Sequence, residues 1–174
     1  MSTATAKARR DAAARVRLLV LDVDGVLTDG RLFYGARGET LKVFHVRDGL
    51  GLKRLAAAGV EIAIISGRDS AMTTRRCREL GIRHIFQGVE DKLATFQRLR
   101  GRLTLGGGAC ACVGDDLPDV PLMREVALAF AVADAHPAAR KAAHVITRLP
   151  GGSGAVREVC DYLLDARQRA AAAT

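Results

Sequence analysis

The chain has 174 residues, of which 49% are hydrophobic and only 4% aromatic, with no tryptophan. That length and apolar content suit one compact domain whose core is built from small aliphatic side chains, and exclude a disordered chain or a disulfide-stapled miniature. The formal charge of +8 does not indicate a nucleic-acid binder, because the basic residues are scattered and no aromatic platform runs among them; it suits a field that attracts small anions.

Residues 1–15 read as a solvated, disordered basic arm carrying Lys7, Arg9, Arg10 and Arg15. They lack the apolar stretch of a signal peptide, and no segment is apolar enough to span a membrane, so a cytoplasmic placement is expected. Residues 17–22 read as a continuous buried strand. Residues 31–35 and 40–47 read as two strands of a hairpin turning at Gly35-Ala36-Arg37-Gly38. Asp48 is placed to cap a helix bearing Leu50, Leu52 and Leu55, which Gly59 ends. A second buried strand, "VEIAIISGR", runs into Ser66-Gly67-Arg68. Asp69 is expected to cap the next helix, Gly81 to stop it, and residues 82–86 to form a short strand.

Asp91 is expected to cap a helix with Leu93, Phe96 and Leu99 on one face. A glycine-rich loop at 101–108 precedes "ACACVGDD", another buried strand ending in acid. A helix at 119–125, the strand "ALAFAV", a helix at 135–143 with Pro137 near its start, and the short strand "HVIT" follow. Beyond Gly151-Gly152 an amphipathic helix carries Val156, Val159, Cys160, Leu163 and Leu164 on one stripe. Residues 167–174 read as a frayed tail. Cys77, Cys110, Cys112 and Cys160 have neither zinc-knuckle nor redox-pair spacing and read as buried free thiols of a reducing compartment.

Strand and helix alternate, which predicts an α/β fold: a Rossmann-like open parallel sheet with helices on both faces, in one domain over 16–166. Such sheets bind ligands at the carboxyl ends of their strands. Three strand ends carry polar chemistry here: Asp22/Asp24, Ser66/Arg68 and Asp115/Asp116. Buried carboxylates are costly unless paired or bound to metal. Strand-ending and helix-capping would explain one acidic pair, but poorly explains all three ends together. Asp22, Asp24 and Asp115 suit one hard cation, and Mg2+ takes a few carboxylates and works with phosphate.

The set resembles the haloacid dehalogenase superfamily of phosphatases. "DVDGVLTDG" at 22–30 resembles its first motif, Ser66 its second, Lys92 its third, and "GDDLPD" at 114–119 its fourth. The resemblance implies that Asp22 is the nucleophile, giving an aspartyl-phosphate that water cleaves. It implies that Asp24 is the general acid and base. Mg2+ would sit on Asp22, Asp115 and the backbone carbonyl of Asp24. Ser66 and Lys92 would hold phosphate oxygens, and Asp116 and Asp119 would support the site from behind.

The spacing between motifs leaves no room for a cap domain. An open site must take a macromolecule or borrow cover from another subunit. The projecting hairpin at 31–47 is apolar and is expected to pack between subunits. "VRDGLG", "ISGR", "VADAHP" and "GGSGAVREVCD" extend the resemblance to one capless family, the 3-deoxy-D-manno-octulosonate 8-phosphate (KDO 8-phosphate) phosphatases of lipopolysaccharide biosynthesis. That family implies a homotetramer in which a neighbour covers each site. It also implies substrate contacts from Asp24, His45, Val46, Arg47, Asp48, Gly49, Lys53, Arg68, Arg76 and Lys92. Arginine forks suit the substrate's carboxylate. His45 stands where the family commonly has Asn, and Lys53 where Arg is common. Two other readings are a phosphatase of a nine-carbon keto sugar acid 9-phosphate and a silent partner of a sugar-nucleotide synthetase. Arg68 favours the eight-carbon substrate, since the nine-carbon enzymes place an acid there; the intact motif set argues against a silent subunit.

Overall fold

The structure is a computed structural model that describes residues 3–173. Its frame is a six-stranded, wholly parallel sheet made of β1 (Leu18–Leu21), β4 (Glu61–Ile65), β5 (His84–Phe86), β6 (Cys110–Gly114), β7 (Leu128–Ala131) and β8 (Val145–Ile146), in the order β5-β4-β1-β6-β7-β8. Every residue of β1, β6 and β7 is buried. Successive side chains point to opposite faces, so both faces of the sheet must be covered.

The covering helices are α1 (Thr3–Ala14), α2 (Val46–Ala57), α3 (Ala71–Glu79), α4 (Lys92–Arg102), α5 (Val120–Met123), α6 (Pro137–Ala142) and α7 (Ala155–Ala172). α1 and α2 both pack on α7, and α4, α5 and α6 pack in succession. Tyr162 of α7 stands edge-on to Phe130 of β7 at 5.6 Å, fixing that helix to the sheet. The chain leaves β1 toward β4 and β5, then returns to β6 on the other side. The boundary of β1 and β6 is therefore the switch point, where such sheets bind ligands.

Most expected elements form, with informative differences. Residues 3–14 are helical rather than a free arm; residues 1 and 2 lie outside the described residues. Alanine favours helix, and Ala12 and Ala13 are buried where α1 meets α7. The tail expected to fray continues α7 to Ala172. Arg167 explains part of this, donating to Val16 O at 3.0 Å and Ala58 O at 2.9 Å and so tying three segments together. The cap of α2 is His45, whose Nδ1 accepts from Arg47 N, and not Asp48. Asp48 instead accepts from Arg157 N at 2.7 Å, in the first turn of α7. Ser70 rather than Asp69 precedes α3, whereas Asp91 caps α4 through Ala94 N as expected.

The hairpin is shorter than expected. Its strands are β2 (Phe33–Gly35) and β3 (Gly38–Leu41), with a register shift at Phe33/Tyr34. Lys42 turns inward and is buried, so the chain leaves the ladder before entering α2. The four cysteines are buried and free. No helix among the described residues is long and apolar enough to cross a membrane.

Candidate active site

Backbone hydrogen bonds hold the polar strand ends together. Asp22 N donates to Val113 O at 3.2 Å, locking the end of β1 to β6. Ser66 N donates to Phe86 O and Ser66 O accepts from Val89 N, fixing the end of β4 beside β5. His136 N donates to Asp115 O at 2.7 Å, so "VADAHP" braces the end of β6.

Asp22, Asp115 and Asp119 each present a carboxylate oxygen within 4.8 Å of the others. Lys92, at the start of α4 and buried, points into this cluster. Its Nζ lies 3.0 Å from Asp22 Oδ1, an ion pair outside hydrogen-bonding angles, and donates to Asp119 Oδ1 at 2.7 Å. Asp119 Oδ2 accepts from Asp115 N at 3.0 Å and Asp116 N at 3.2 Å. Both oxygens of Asp119 are thus engaged by the protein, and it acts as a bracket. Asp116 caps the short helical turn Leu117–Asp119.

The remaining oxygens are differently placed. Asp115 Oδ1 and Asp22 Oδ1 are buried and accept no hydrogen bond. Burial pushes Asp22 up to about 6; Lys92 opposes the shift and Asp119 adds to it. Burial pushes Asp115 up to about 8, with repulsion from Asp22 and Asp119 adding. Burial disfavours the Lys92 ammonium, but Asp22 and Asp119 outweigh it and its pKa rises. One lysine faces three clustered carboxylates, and Asp115 Oδ1 is buried without a hydrogen bond; a hard divalent cation neutralises such an excess of negative charge, so the residues present fit one.

A second cluster adjoins the first. Lys42 Nζ pairs with Asp24 Oδ1 and lies 3.2 Å from Glu39 Oε1. Arg68 Nε is 3.6 Å from Asp24 Oδ2, and its Nη2 donates to Tyr34 OH at 3.3 Å. Tyr34, Glu39 and Lys42 are absent from the sequence-based site. The one local signal was a cation inside an apolar run, "TLKVF".

The expected substrate residues are divided. Arg68 meets Asp24, as above. Arg76 lies against Gly49, so closely that a Cβ added there would overlap its Nη2, and pairs with Glu79 at 3.5 Å. Asp48 is turned inward onto α7. Val46, Arg47 and Lys53 are exposed, and Ser66 is buried at its strand end. His45 is at the cap of α2, near Gly154.

The "GGSG" segment packs directly under the first motif. Gly152 N donates to Val26 O at 3.0 Å, and Gly151 N donates to Asp134 Oδ1 at 3.0 Å.

Comparison with known proteins agrees with this geometry. Residues 82–157 match the family model of haloacid dehalogenase-like hydrolases. The chain is 47% identical over 162 residues to the 3-deoxy-D-manno-octulosonate 8-phosphate phosphatase KdsC of Yersinia pestis, covering 93% of this chain and 87% of that one. It is 50% identical over 152 residues to KdsC of Escherichia coli K12, covering 87% and 81%. A solved 3-deoxy-D-manno-octulosonate 8-phosphate phosphatase of Moraxella catarrhalis, in complex with magnesium, phosphate and KDO, matches at a TM-score of 0.89 and 43% identity, covering 94% of both chains.

Proposed function

The chain belongs to the 3-deoxy-D-manno-octulosonate 8-phosphate phosphatases of the haloacid dehalogenase superfamily, and from that premise we propose that it hydrolyses KDO 8-phosphate to the free sugar acid and phosphate, a step of lipopolysaccharide biosynthesis. The observation that carries this reading is the meeting of Asp22, Lys92 and Asp115 at the switch point of the sheet. Asp22 attacks phosphorus, and the bond from phosphorus to the sugar oxygen breaks. Asp24 supplies a proton to that oxygen, then takes one from the water that cleaves the aspartyl-phosphate. Lys92 and Ser66 hold phosphate oxygens, and Asp119 with Asp116 supports the site from behind.

Asp22, Asp115 and the backbone carbonyl of Asp24 are the residues that would hold Mg2+. When bound it offsets the repulsion between anionic nucleophile and anionic phosphate. His45 to Gly49, Lys53, Arg68 and Arg76 are assigned to the sugar acid, with Arg68 meeting its carboxylate. The fold has no cap, and the hairpin region exposes Leu32, Phe33, Leu41 and Val43, with Val46 beside them at the start of α2. An apolar patch of this kind marks an interface. The patch supports packing between copies of the chain, and the family resemblance is the ground for reading that packing as a cytoplasmic homotetramer in which a neighbour covers each site.

The deciding experiment measures phosphate release from a panel of sugar-acid phosphates, with and without Mg2+, on protein whose mass is checked by sedimentation. KDO 8-phosphate should be preferred, Mg2+ required and a tetramer found. Preference for a nine-carbon 9-phosphate would move the substrate; a monomer would undo the hairpin reading.

Mg2+ should also stabilise the protein in a pH-dependent way. Asp22 at about 6 and Asp115 at about 8 lie above the ordinary 3.8. The metal-free native state therefore binds these protons more tightly than the unfolded chain does. Below about pH 4 both states are protonated and the groups cost nothing. Above about pH 4 the unfolded chain releases these protons while the native state still holds them, so the metal-free fold loses stability until both buried charges have formed at about pH 8. Bound Mg2+ compensates those charges, and it must displace the protons to bind. The rise in melting temperature on adding Mg2+ should be small at about pH 5 and large at about pH 8. Equal rises at both would show that these carboxylates do not hold the ion.

A further inference from the structure

Lys42 has no role in the mechanism above, yet its placement is costly. Its side chain is 1% exposed. A buried ammonium is costly unless paired, and an apolar side chain of similar length would serve packing alone. The neighbours of Lys42 along the hairpin, Leu41 and Val43, are apolar and exposed. The cation is therefore aimed inward from an otherwise apolar flap.

What it meets there is specific. Nζ pairs with one oxygen of Asp24, Oδ1, and lies 3.2 Å from Glu39 Oε1. The other Asp24 oxygen, Oδ2, faces the Arg68 guanidinium, with Nε 3.6 Å away. Glu39 Oε2 is in turn 3.8 Å from Arg68 Nη2. The two oxygens of Asp24 are thus unequal. One is held in close contact from the hairpin, and the other meets only the longer ion pair to Arg68, which is more exposed than Lys42. A carboxylate that handles a proton must hold one oxygen within about 3 Å of the reacting atom. An aspartate free to turn about its side-chain bonds spends much of its time in other rotamers.

We infer that Lys42 is a positioning residue: its ammonium clamps Oδ1 of Asp24 and so presents Oδ2 to the oxygen that leaves phosphorus. Glu39 steadies Lys42, and the hairpin thereby contributes to chemistry as well as to subunit packing. The inference rests on the reading of Asp24 as the proton carrier in the proposed phosphatase. The bond that breaks is unchanged, and Lys42 transfers no proton.

The test uses the full-length protein with saturating Mg2+ and a series of aryl phosphates, from p-nitrophenyl to phenyl, whose leaving groups differ in basicity. These esters lack the sugar, so loss of a sugar contact cannot imitate the result. The quantity read is kcat/KM, which ends when the leaving group departs. A nitrophenolate leaves without a proton; a phenolate needs one more. Lys42→Met should lower kcat/KM about tenfold or more for phenyl phosphate and about threefold or less for p-nitrophenyl phosphate. Lys42→Arg should recover part of the loss. Asp24→Asn should steepen the same dependence further.

A parallel fall on all esters would assign Lys42 a merely structural role and overturn the inference, as would no fall at all. If Lys42→Met does not fold, Lys42→Gln carries the same ratio. If Asp24→Asn shows no leaving-group dependence, the fault lies in the reading of Asp24. If only Lys42→Met lacks it, the fault lies in the clamp.

Discussion

Asp22→Asn should abolish phosphate release and leave the fold standing. Asn keeps the size of the side chain and removes the attacking oxygen anion. Loss of a covalent nucleophile commonly costs about ten-thousandfold or more in turnover. The fold should not suffer. Lys92 keeps its 2.7 Å bond to Asp119, so the ammonium is not left alone. The wild-type carboxylate is itself an unfavourable burial, as its rise to about 6 records. Without Mg2+ at about pH 8, the variant should therefore melt no lower than the wild type. Phosphate release and thermal melting read the two halves separately. Near-normal turnover would sink the assignment of Asp22. Inactivity accompanied by a collapsed melting temperature would show that Asp22 is needed for the fold instead.

The parts of this molecule legible in its sequence are those fixed locally. β1, β6 and β4 after Glu61 are apolar runs, and each leads into a polar residue whose burial needs an explanation. That pattern alone brought Asp22, Ser66 and Asp115 to one edge of a parallel sheet. α4 announced itself through Asp91, whose carboxylate reaches only three residues along the chain. What stayed hidden depends on contacts between distant segments. Asp48 looked like a cap for its own helix, because an aspartate stands directly before the run with Leu50, Leu52 and Leu55. Its partner, Arg157 N, is 109 residues away. α1 carries alanine where α2, α4 and α7 carry leucine, so it shows no strong apolar stripe; its packing on α7 and β7 is what makes its face worth burying. Lys42 is the clearest case. A lysine between Leu41 and Val43 reads as solvated, and nothing nearby says that it reaches a carboxylate 18 residues earlier.

The second large effect is expected at Gly25, which is gripped from two sides. Its φ is +86°, a left-handed conformation costing a residue with a Cβ about 1 kcal/mol or more. An added Cβ would overlap Asp115 Oδ2 and come within 2.6 Å of Asp115 Cγ. Gly151 also approaches Gly25 so closely that a Cβ there would overlap Gly25 O and lie 2.6 Å from Gly25 C. The turn after Asp24 therefore has no room to recoil. Gly25→Ala must either displace Asp115 or shift the backbone that carries Asp22 and Asp24. Overpacking of this kind costs about 1–3 kcal/mol beyond the backbone strain. The variant should lose both stability and the Mg2+-dependent rise in melting temperature. Gly151→Ala presses on backbone alone, which no rotamer change relieves, and should destabilise by about as much. Gly108→Ala supplies the contrast, since a Cβ there meets nothing within 4 Å; it should change stability by no more than about 0.5 kcal/mol. Melting curves of the three variants, with and without Mg2+, decide the matter. Were Gly25→Ala to behave like Gly108→Ala, the close approach of the first motif to Asp115 could not be what holds the site in shape.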